Sequence, residues 1–351
     1  MDKDTVLMMY VGFATFVKRD ITILKNEFIV DTYHFNTSSK YLLPIAFIKQ
    51  FFFLLFFFSK YKSIIIQSSG YVSFLPVLFG KLFKKPIVII AIGTDCAKLP
   101  EINYGAHIKP VLSWFTRFSF AKASLILPVH KSLEESTYSY INVQYPNQGI
   151  RSFCKNIKTP IIEMVNGYDL DKWQLLSEKR KNNSFLTVTF ALDEVGYYRK
   201  GIDMIVALAK LYPKYNFTII GKIFLKEPRP KNITLIENLP QNELLLVYNK
   251  HQYYLQLSMF EGFPNALCEA MLCGCIPIGS NVAGIPDIIG SAGYILMKKE
   301  ISALQNLILK LDSNNILPKD VRNQIAINFS LKRREQELVN HIKRLLLRSS
   351  S

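Results

Sequence analysis

Two carboxylates separated by seven residues, Glu261 and Glu269, bracket the stretch where this chain concentrates its chemistry, SMFEGFPNALCEAMLCGCIPIG at residues 258–279. A strand-like run, Tyr253 to Leu257, leads into a loop from Met259 to Pro264. A helix is expected to open near Pro264–Asn265, because Pro suits a first turn whose N–H would be unused. It carries Ala266, Leu267, Ala270, Met271 and Leu272 and is expected to stop at Gly274 in a left-handed cap. Cys275 to Gly279 reads as the next strand. Strand, loop, helix and strand together place free amides and a positive dipole end at the helix start, which suits a phosphate. The candidate contacts are Gly262, Phe263, Pro264, Asn265 and Ala266. Carboxylates beside such a start suit hydroxyl groups, so Glu261 and Glu269 are expected to hold sugar hydroxyls, one of them on a ribose. Both are expected to titrate low beside that dipole.

A second cluster is basic. Arg199 and Lys200 precede Gly201 at an expected helix start, after a loop from Asp193 to Tyr198. Arg offers a two-pronged fork and Lys a point charge for phosphate oxygens. Gly12 ends the first apolar run, Thr5 to Val11, and Lys18 and Arg19 follow it, as phosphate or acceptor contacts or as a charged helix start. Asp95 ends another buried run, Ile87 to Ile92, either as an acceptor-side group or as a polar strand end. His130 opens a further turn and reads as structural. Asp169 and Asp171 have the types of a divalent-ion site, but they fall in a junction segment, and no metal is expected.

The elements that position these groups alternate strand with helix through the chain, which implies parallel sheets. At 351 residues with 49% hydrophobic content, two domains of ordinary size can each bury a core. The expected division is 1–160, a junction at 161–184, a second domain at 185–330, and a basic helix at 331–351. Glu178 to Ser184 reads as a polar linker, and Ile161 to Val165 as the last strand of the first half. The five scattered cysteines lack a CxxC pair, which argues against a disulfide framework or zinc site. The first residues do not read as a signal peptide, so a cytoplasmic location is expected.

The 258–279 stretch, continued through Gly284-Ile-Pro-Asp287, closely resembles the Glu-x7-Glu motif of retaining glycosyltransferases of family four. Asn166-Gly-Tyr-Asp169 resembles that family's junction segment, and Lys200-Gly201 its Lys-Gly pair. Leu99 to Gly105 is similar to a bacterial polysaccharide subgroup. The family's Gly-Arg pair is replaced here by Ala191-Leu192, with Arg199 as the substitute cation. The resemblance implies an α/β protein of GT-B fold, two doubly wound Rossmann-like domains facing a cleft. It implies a nucleotide-diphosphate sugar as donor, no metal or other cofactor, and a glycan or polyprenyl-linked acceptor. Glu261, Lys200, Arg199 and Asp95 would be catalytic. Glu269, Gly262 to Ala266 and Gly12 would bind the donor, with the segment from Leu239 to Glu243 near its base. The alternative is an inactive GT-B partner that binds nucleotide sugar or membrane without turnover. A glycosidase pair is disfavoured, because one member would need a raised pKa.

The net charge of +16 points to an anionic partner. Nucleic-acid readers interleave aromatic with basic residues, whereas here the Phe-rich and basic runs are separate. Leu42 to Phe58 is nearly all apolar but is interrupted by Lys49 and Gln50. It is too broken for a span and suits a helix packed on the sheet or lying in a membrane interface. With Lys40, Lys49, Lys60, Lys62, Lys81, Lys84 and Lys85 around it, peripheral binding to an anionic inner membrane face is expected.

Overall fold

Short runs of branched apolar residues form the strands of two parallel sheets, and the computed structural model describes residues 3–36, 40–177, 179–189, 193–222, 228–311 and 315–350. The first sheet is built from β1 (Thr5–Tyr10), α1 (Thr15–Glu27), β2 (Ile29–His34), α2 (Leu43–Phe57), β3 (Ser63–Gln67), α3 (Tyr71–Leu82), β4 (Ile87–Ala91), α4 (Pro110–Lys122) and β5 (Leu125–Pro128). Its strand order is β2-β1-β3-β4-β5. β3 and β4 are buried along their whole length, which is why they read as unbroken apolar runs. A small hairpin, β6 (Ser136–Thr137) and β7 (Asn147–Gln148), and α5 (Ile150–Phe153) follow.

The second sheet comprises β8 (Lys181–Val188), α6 (Glu194–Arg199), α7 (Ile202–Leu211), β9 (Asn216–Ile220), β10 (Ile233–Ile236), α8 (Gln241–Lys250), β11 (His251–Gln256), α9 (Asn265–Leu272), β12 (Ile276–Ser280), α10 (Ile285–Ile289) and β13 (Tyr294–Leu296). Its order is β10-β9-β8-β11-β12-β13. Helices α11 (Ile301–Ile308), α12 (Pro318–Asn328) and α13 (Leu331–Ser350) close the chain. In each sheet the winding direction reverses once, between β1 and β3 and between β8 and β11. Ligands of open α/β sheets bind beyond the carboxyl ends of strands at such reversals.

The last helix does not stay with the second half. Helix α13 packs on α1 of the first domain. Arg334 donates through Nε and Nη2 to Asp20, each at 2.7 Å, and through Nη1 to the carbonyls of Met164 and Val165. Both members of this ion pair are buried. Further bonds join the domains across the cleft, from Tyr138 Oη to the Met259 carbonyl (2.8 Å) and from Lys299 N to the Tyr140 carbonyl (3.0 Å). Lys131 Nζ lies 2.8 Å from Asp287 Oδ2.

Several expected boundaries move. Helix α1 begins at Thr15, so Lys18 and Arg19 lie inside it and not in a loop. Of the expected loop from Asp193 to Tyr198, residues 194–198 belong to α6, whose N-cap Asp193 accepts from Gly196 N. The polar 178–184 segment is not all linker: Lys181 opens β8, its first residues projecting into solvent before the strand is buried. Ile161 makes only an isolated bridge to Ile126, although three backbone bonds join residues 160–164 to β5. Helix α4 runs up to Lys122, and β5 starts at Leu125.

Candidate active site

The two reversal points face each other across one cavity of about 640 Å³. The first domain contributes Thr15 and Phe16 from the start of α1 and Gln67 from the end of β3. The second contributes Val188 at the end of β8 and Thr189 after it, Gly221 after β9, Gln256 at the end of β11, and the loop Glu261 to Ala266 with Glu269.

The expected helix at this loop is α9, with Pro264 before it and Gly274 after it at φ +80°. No side chain caps the start of α9. Asn265 and Ala266 of its first turn line the cavity, and a helix start leaves its first amides without intrahelical partners. The Asn265 side chain is turned away from a ligand role. Its Oδ1 accepts from Tyr168 Oη at 2.8 Å and Asn166 Nδ2 at 3.4 Å, tying the helix start to the junction segment. The Phe263 ring is buried and packs against Tyr168 and Phe329. It lines the cavity and braces the junction.

Glu261 and Lys200 meet directly in an ion pair, with Gln256 Nε2 3.3 Å from the same Glu261 oxygen. Their side chains are 14% and 23% exposed, so the pair sits in the cavity wall and within reach of a ligand. Helix α6 ends at Arg199 and the chain turns through Lys200 to Gly201 at φ +73°. A Cβ at Gly201 would collide with Leu257, so this turn is pressed against the end of the strand that leads to Glu261. Arg199 points elsewhere. Its guanidinium lies over the Tyr104 ring at 5.0 Å, and it is absent from the cavity lining.

Glu269, half-buried one turn into α9, is pushed up from 4.5 to about 7 by burial. Arg19, Lys172 and the Tyr248 hydroxyl pull the other way without cancelling it. The expected lowering fails because Glu269 lies past the first helical turn, where the dipole fades and desolvation wins. Arg19 stacks over the Tyr168 ring at 5.3 Å, and its Nε and Nη2 have no hydrogen-bond partner among the described residues. A raised carboxyl is half of a hydrolase pair. The second carboxylate, Glu261, is engaged by Lys200 and Gln256.

Besides Arg199, two more expected site residues, Asp95 and Gly12, are absent from the cavity lining. Asp95 is buried, and its carboxylate accepts from the backbone N–H groups of Ser69 (2.8 Å), Ile92 (3.1 Å) and Gly93 (3.0 Å). Burial raises its pKa and those amides lower it in part. Asp95 therefore shapes a loop, its carboxylate turned onto three backbone amides. Gly12 is exposed on the rim, with nothing within 4 Å of its would-be Cβ. Asp169 Oδ1 serves a local turn, accepting from Asp171 N and Lys172 N. His130 is buried with Nε2 3.2 Å from Asp287, a link between the domains. Ala191 and Leu192 lie outside the described residues.

Sequence reasoning missed Trp173, Thr189, Lys222, Glu237 and Asn238, which line the cavity together with the expected Leu239 and Gln241. Glu237 directly follows β10 and Lys222 lies two residues past β9. The rule that ligands collect at carboxyl edges would have found them.

Known proteins are similar to parts of this chain in sequence and to nearly all of it in fold. Residues 178–327 match the model of the family described as Glycosyl transferases group 1. The gpi3 component of the phosphatidylinositol N-acetylglucosaminyltransferase of Schizosaccharomyces pombe is 30% identical over 108 residues, 27% of this chain and 24% of that protein. The Escherichia coli O-antigen chain mannosyltransferase B is 31% identical over 99 residues, 28% of this chain and 26% of that one. The matched stretches thus span less than a third of these relatives. Sucrose-phosphate synthase from Thermosynechococcus elongatus superposes with a TM-score of 0.74 at 11% identity, covering 98% of this chain and all of that one. A fold of two doubly wound domains around a cleft, the GT-B fold, is therefore shared along the chain.

Proposed function

We propose that this chain transfers a sugar from a nucleotide-diphosphate donor to a hydroxyl of a glycan or lipid-linked acceptor, with retention at the anomeric carbon, in the building of a surface polysaccharide. The observation that carries this reading is the Lys200–Glu261 pair set against the uncapped start of α9 in the cleft. As the glycosidic bond to the diphosphate breaks, negative charge grows on the leaving oxygen. Lys200 and the α9 amides stabilise that charge, and such preorganised groups each contribute on the order of 10²–10³ in rate. Glu261, freed when the diphosphate takes up Lys200, accepts hydroxyls of the transferred sugar. Glu269 accepts from the ribose, and the apolar walls Val188, Ile220, Leu239 and Leu244 enclose the base.

No cavity-lining carboxylate is placed here as a nucleophile. The reading is therefore attack by the acceptor on the face the diphosphate leaves, the departing group taking the proton. No metal is needed, because Lys200 and the amides supply the positive charge. The protein is placed on the cytoplasmic side, where nucleotide sugars are made.

The experiment is a thermal-shift panel of nucleotide sugars, followed by turnover with the stabilising donor in EDTA and product stereochemistry by NMR. One donor is expected to stabilise the protein and to be consumed with retention, unchanged by chelation. Saturable binding without turnover would favour the inactive partner, and metal-restored activity would refute the metal-free mechanism.

A further inference from the structure

The first domain's cleft residues account for α1 and the strand ends, but not for the opposite face of its sheet. Right-handed crossovers place α2, α3 and α4 together on that face, opposite α1 and α13. Helix α2 turns only Ala46, Gln50 and Leu54 fully inward. Its outer stripe, Ile48, Phe52, Leu55 and Phe56, is 50–68% exposed. Aromatic contacts carry this surface sideways: Phe47 meets Phe115 at 5.6 Å, and Phe115 meets Trp114, itself 55% exposed, at 5.1 Å. Single exposed apolar residues need no explanation, whereas a contiguous layer of them does.

The charge on this layer has one sign. No Asp or Glu occurs between Asp31 and Asp95, a stretch with seven lysines, or between Glu101 and Glu134. Lys49, Lys81, Lys84, Arg117 and Lys122 are exposed on or beside the three helices. Lys85 is not part of this set, because its ammonium is spent on the carbonyls of Phe58, Ser59 and Tyr61. Residues 43–60 are long and apolar enough to span a bilayer by composition. Helix α2 is nevertheless pinned at both ends to strands of one sheet, β2 and β3, so it can lie on a membrane but cannot cross it.

We propose that the outer face of α2, α3 and α4 docks on an anionic lipid bilayer, with the aromatic stripe in the interface and the basic residues at the headgroups. An apolar stripe and a basic set on one face supply the two signals that stable peripheral binding needs. In a parallel sheet the helix N-termini point to the carboxyl edge, so this face runs up to the rim of the cleft. A lipid-linked hydroxyl would be presented there. Docking itself does not depend on the transfer reading.

The test is flotation of the full chain with phosphatidylcholine vesicles, with and without phosphatidylglycerol. Wild-type protein should float with the anionic vesicles, more than about tenfold above the neutral ones at low salt, and salt should weaken it. Ile48→Ser/Phe52→Ser/Phe56→Ser removes only exposed side chains and should abolish flotation with the melting temperature kept. Phe53 is left intact, since its ring packs on Tyr33 at 4.6 Å. Lys81→Glu/Lys84→Glu, also on exposed positions, should remove the preference for anionic lipid. The proposal is overturned if the wild type does not float at low salt, or if both variants float as the wild type does. It is also overturned if the apolar variant merely converts a soluble dimer to a monomer.

Discussion

Replacing Glu269 with Gln should make the empty protein more stable and the bound protein less so. The carboxyl rises from 4.5 to about 7 because burial penalises its charge. At about 1.4 kcal/mol per pKa unit this places about 3 kcal/mol on the ionised form. Partial exposure and relaxation reduce the measurable part to about 1–2 kcal/mol. The sign follows from linkage: a carboxyl raised in the folded state contributes stability below about pH 4.5 that is lost as pH rises through about 7. Gln is neutral throughout and keeps an acceptor for the Tyr248 hydroxyl. Urea unfolding without nucleotide should show the two proteins alike near pH 5 and the variant ahead by about 1–2 kcal/mol near pH 8. Calorimetry with the nucleoside diphosphate should show binding weaker by about tenfold or more, the worth of a hydrogen bond to a charged group. A stability difference that does not change with pH, or an unchanged affinity, would refute the reasoning.

Lys200→Ala should lower kcat by about 10²–10³ with the melting temperature nearly kept, since both partners of its ion pair touch solvent; steady-state kinetics and a thermal melt check this. Asp95→Asn should cost about 1–3 kcal/mol by removing an acceptor from buried amides, yet leave kcat within a few-fold at low temperature. A large kcat loss with unchanged melting would restore a chemical role to Asp95. Arg334→Ala strands Asp20 as a buried charge and should cost about 3–5 kcal/mol in denaturant unfolding.

The central strands of the first sheet were legible because a parallel strand buried on both faces must be an apolar run, and β3 and β4 are such runs. The 258–279 stretch was legible because Pro264 and Gly274 punctuate α9 at both ends. What composition could not show is where a side chain points. Arg199 and Lys200 are neighbours of one chemistry, yet the turn before Gly201 sends one to Glu261 and the other onto Tyr104. Asp95 has the type of a catalytic acid, and only the three amides around it reveal its use. Helix α4 escaped notice because Trp114, Phe115 and Phe118 spread its apolar residues around the helix and blur the period. The return of α13 to the first domain depends on Asp20 and Arg334, 314 residues apart in sequence, and no local pattern announces such a pair.

The role of Asp95 explains a glycine that the chemistry alone would not require. By holding the amides of Ile92 and Gly93, Asp95 fixes the loop that meets Gly262 from the other domain. A Cβ on Gly262 would collide with the Ile92 carbonyl oxygen, and one on Gly93 would lie 3.0 Å from Gly262 N. Two backbones touch here with no side chain between them, so the cleft closes to a width that only hydrogen atoms permit. Rotamer changes cannot relieve Gly262→Ala, because the obstacle is backbone. The domains would have to part, carrying Glu261 and the start of α9 away from Thr15, Phe16 and Gln67. A displacement near 1 Å in reacting groups costs about 10²-fold in rate, so kcat/KM should fall by that order while the separate cores keep their melting behaviour. Gly12→Ala is the control, since its Cβ meets open space and its effect on stability should stay within about 0.5 kcal/mol. Equal kinetics for Gly262→Ala and the wild type would show that the close approach of the two loops is not needed for turnover.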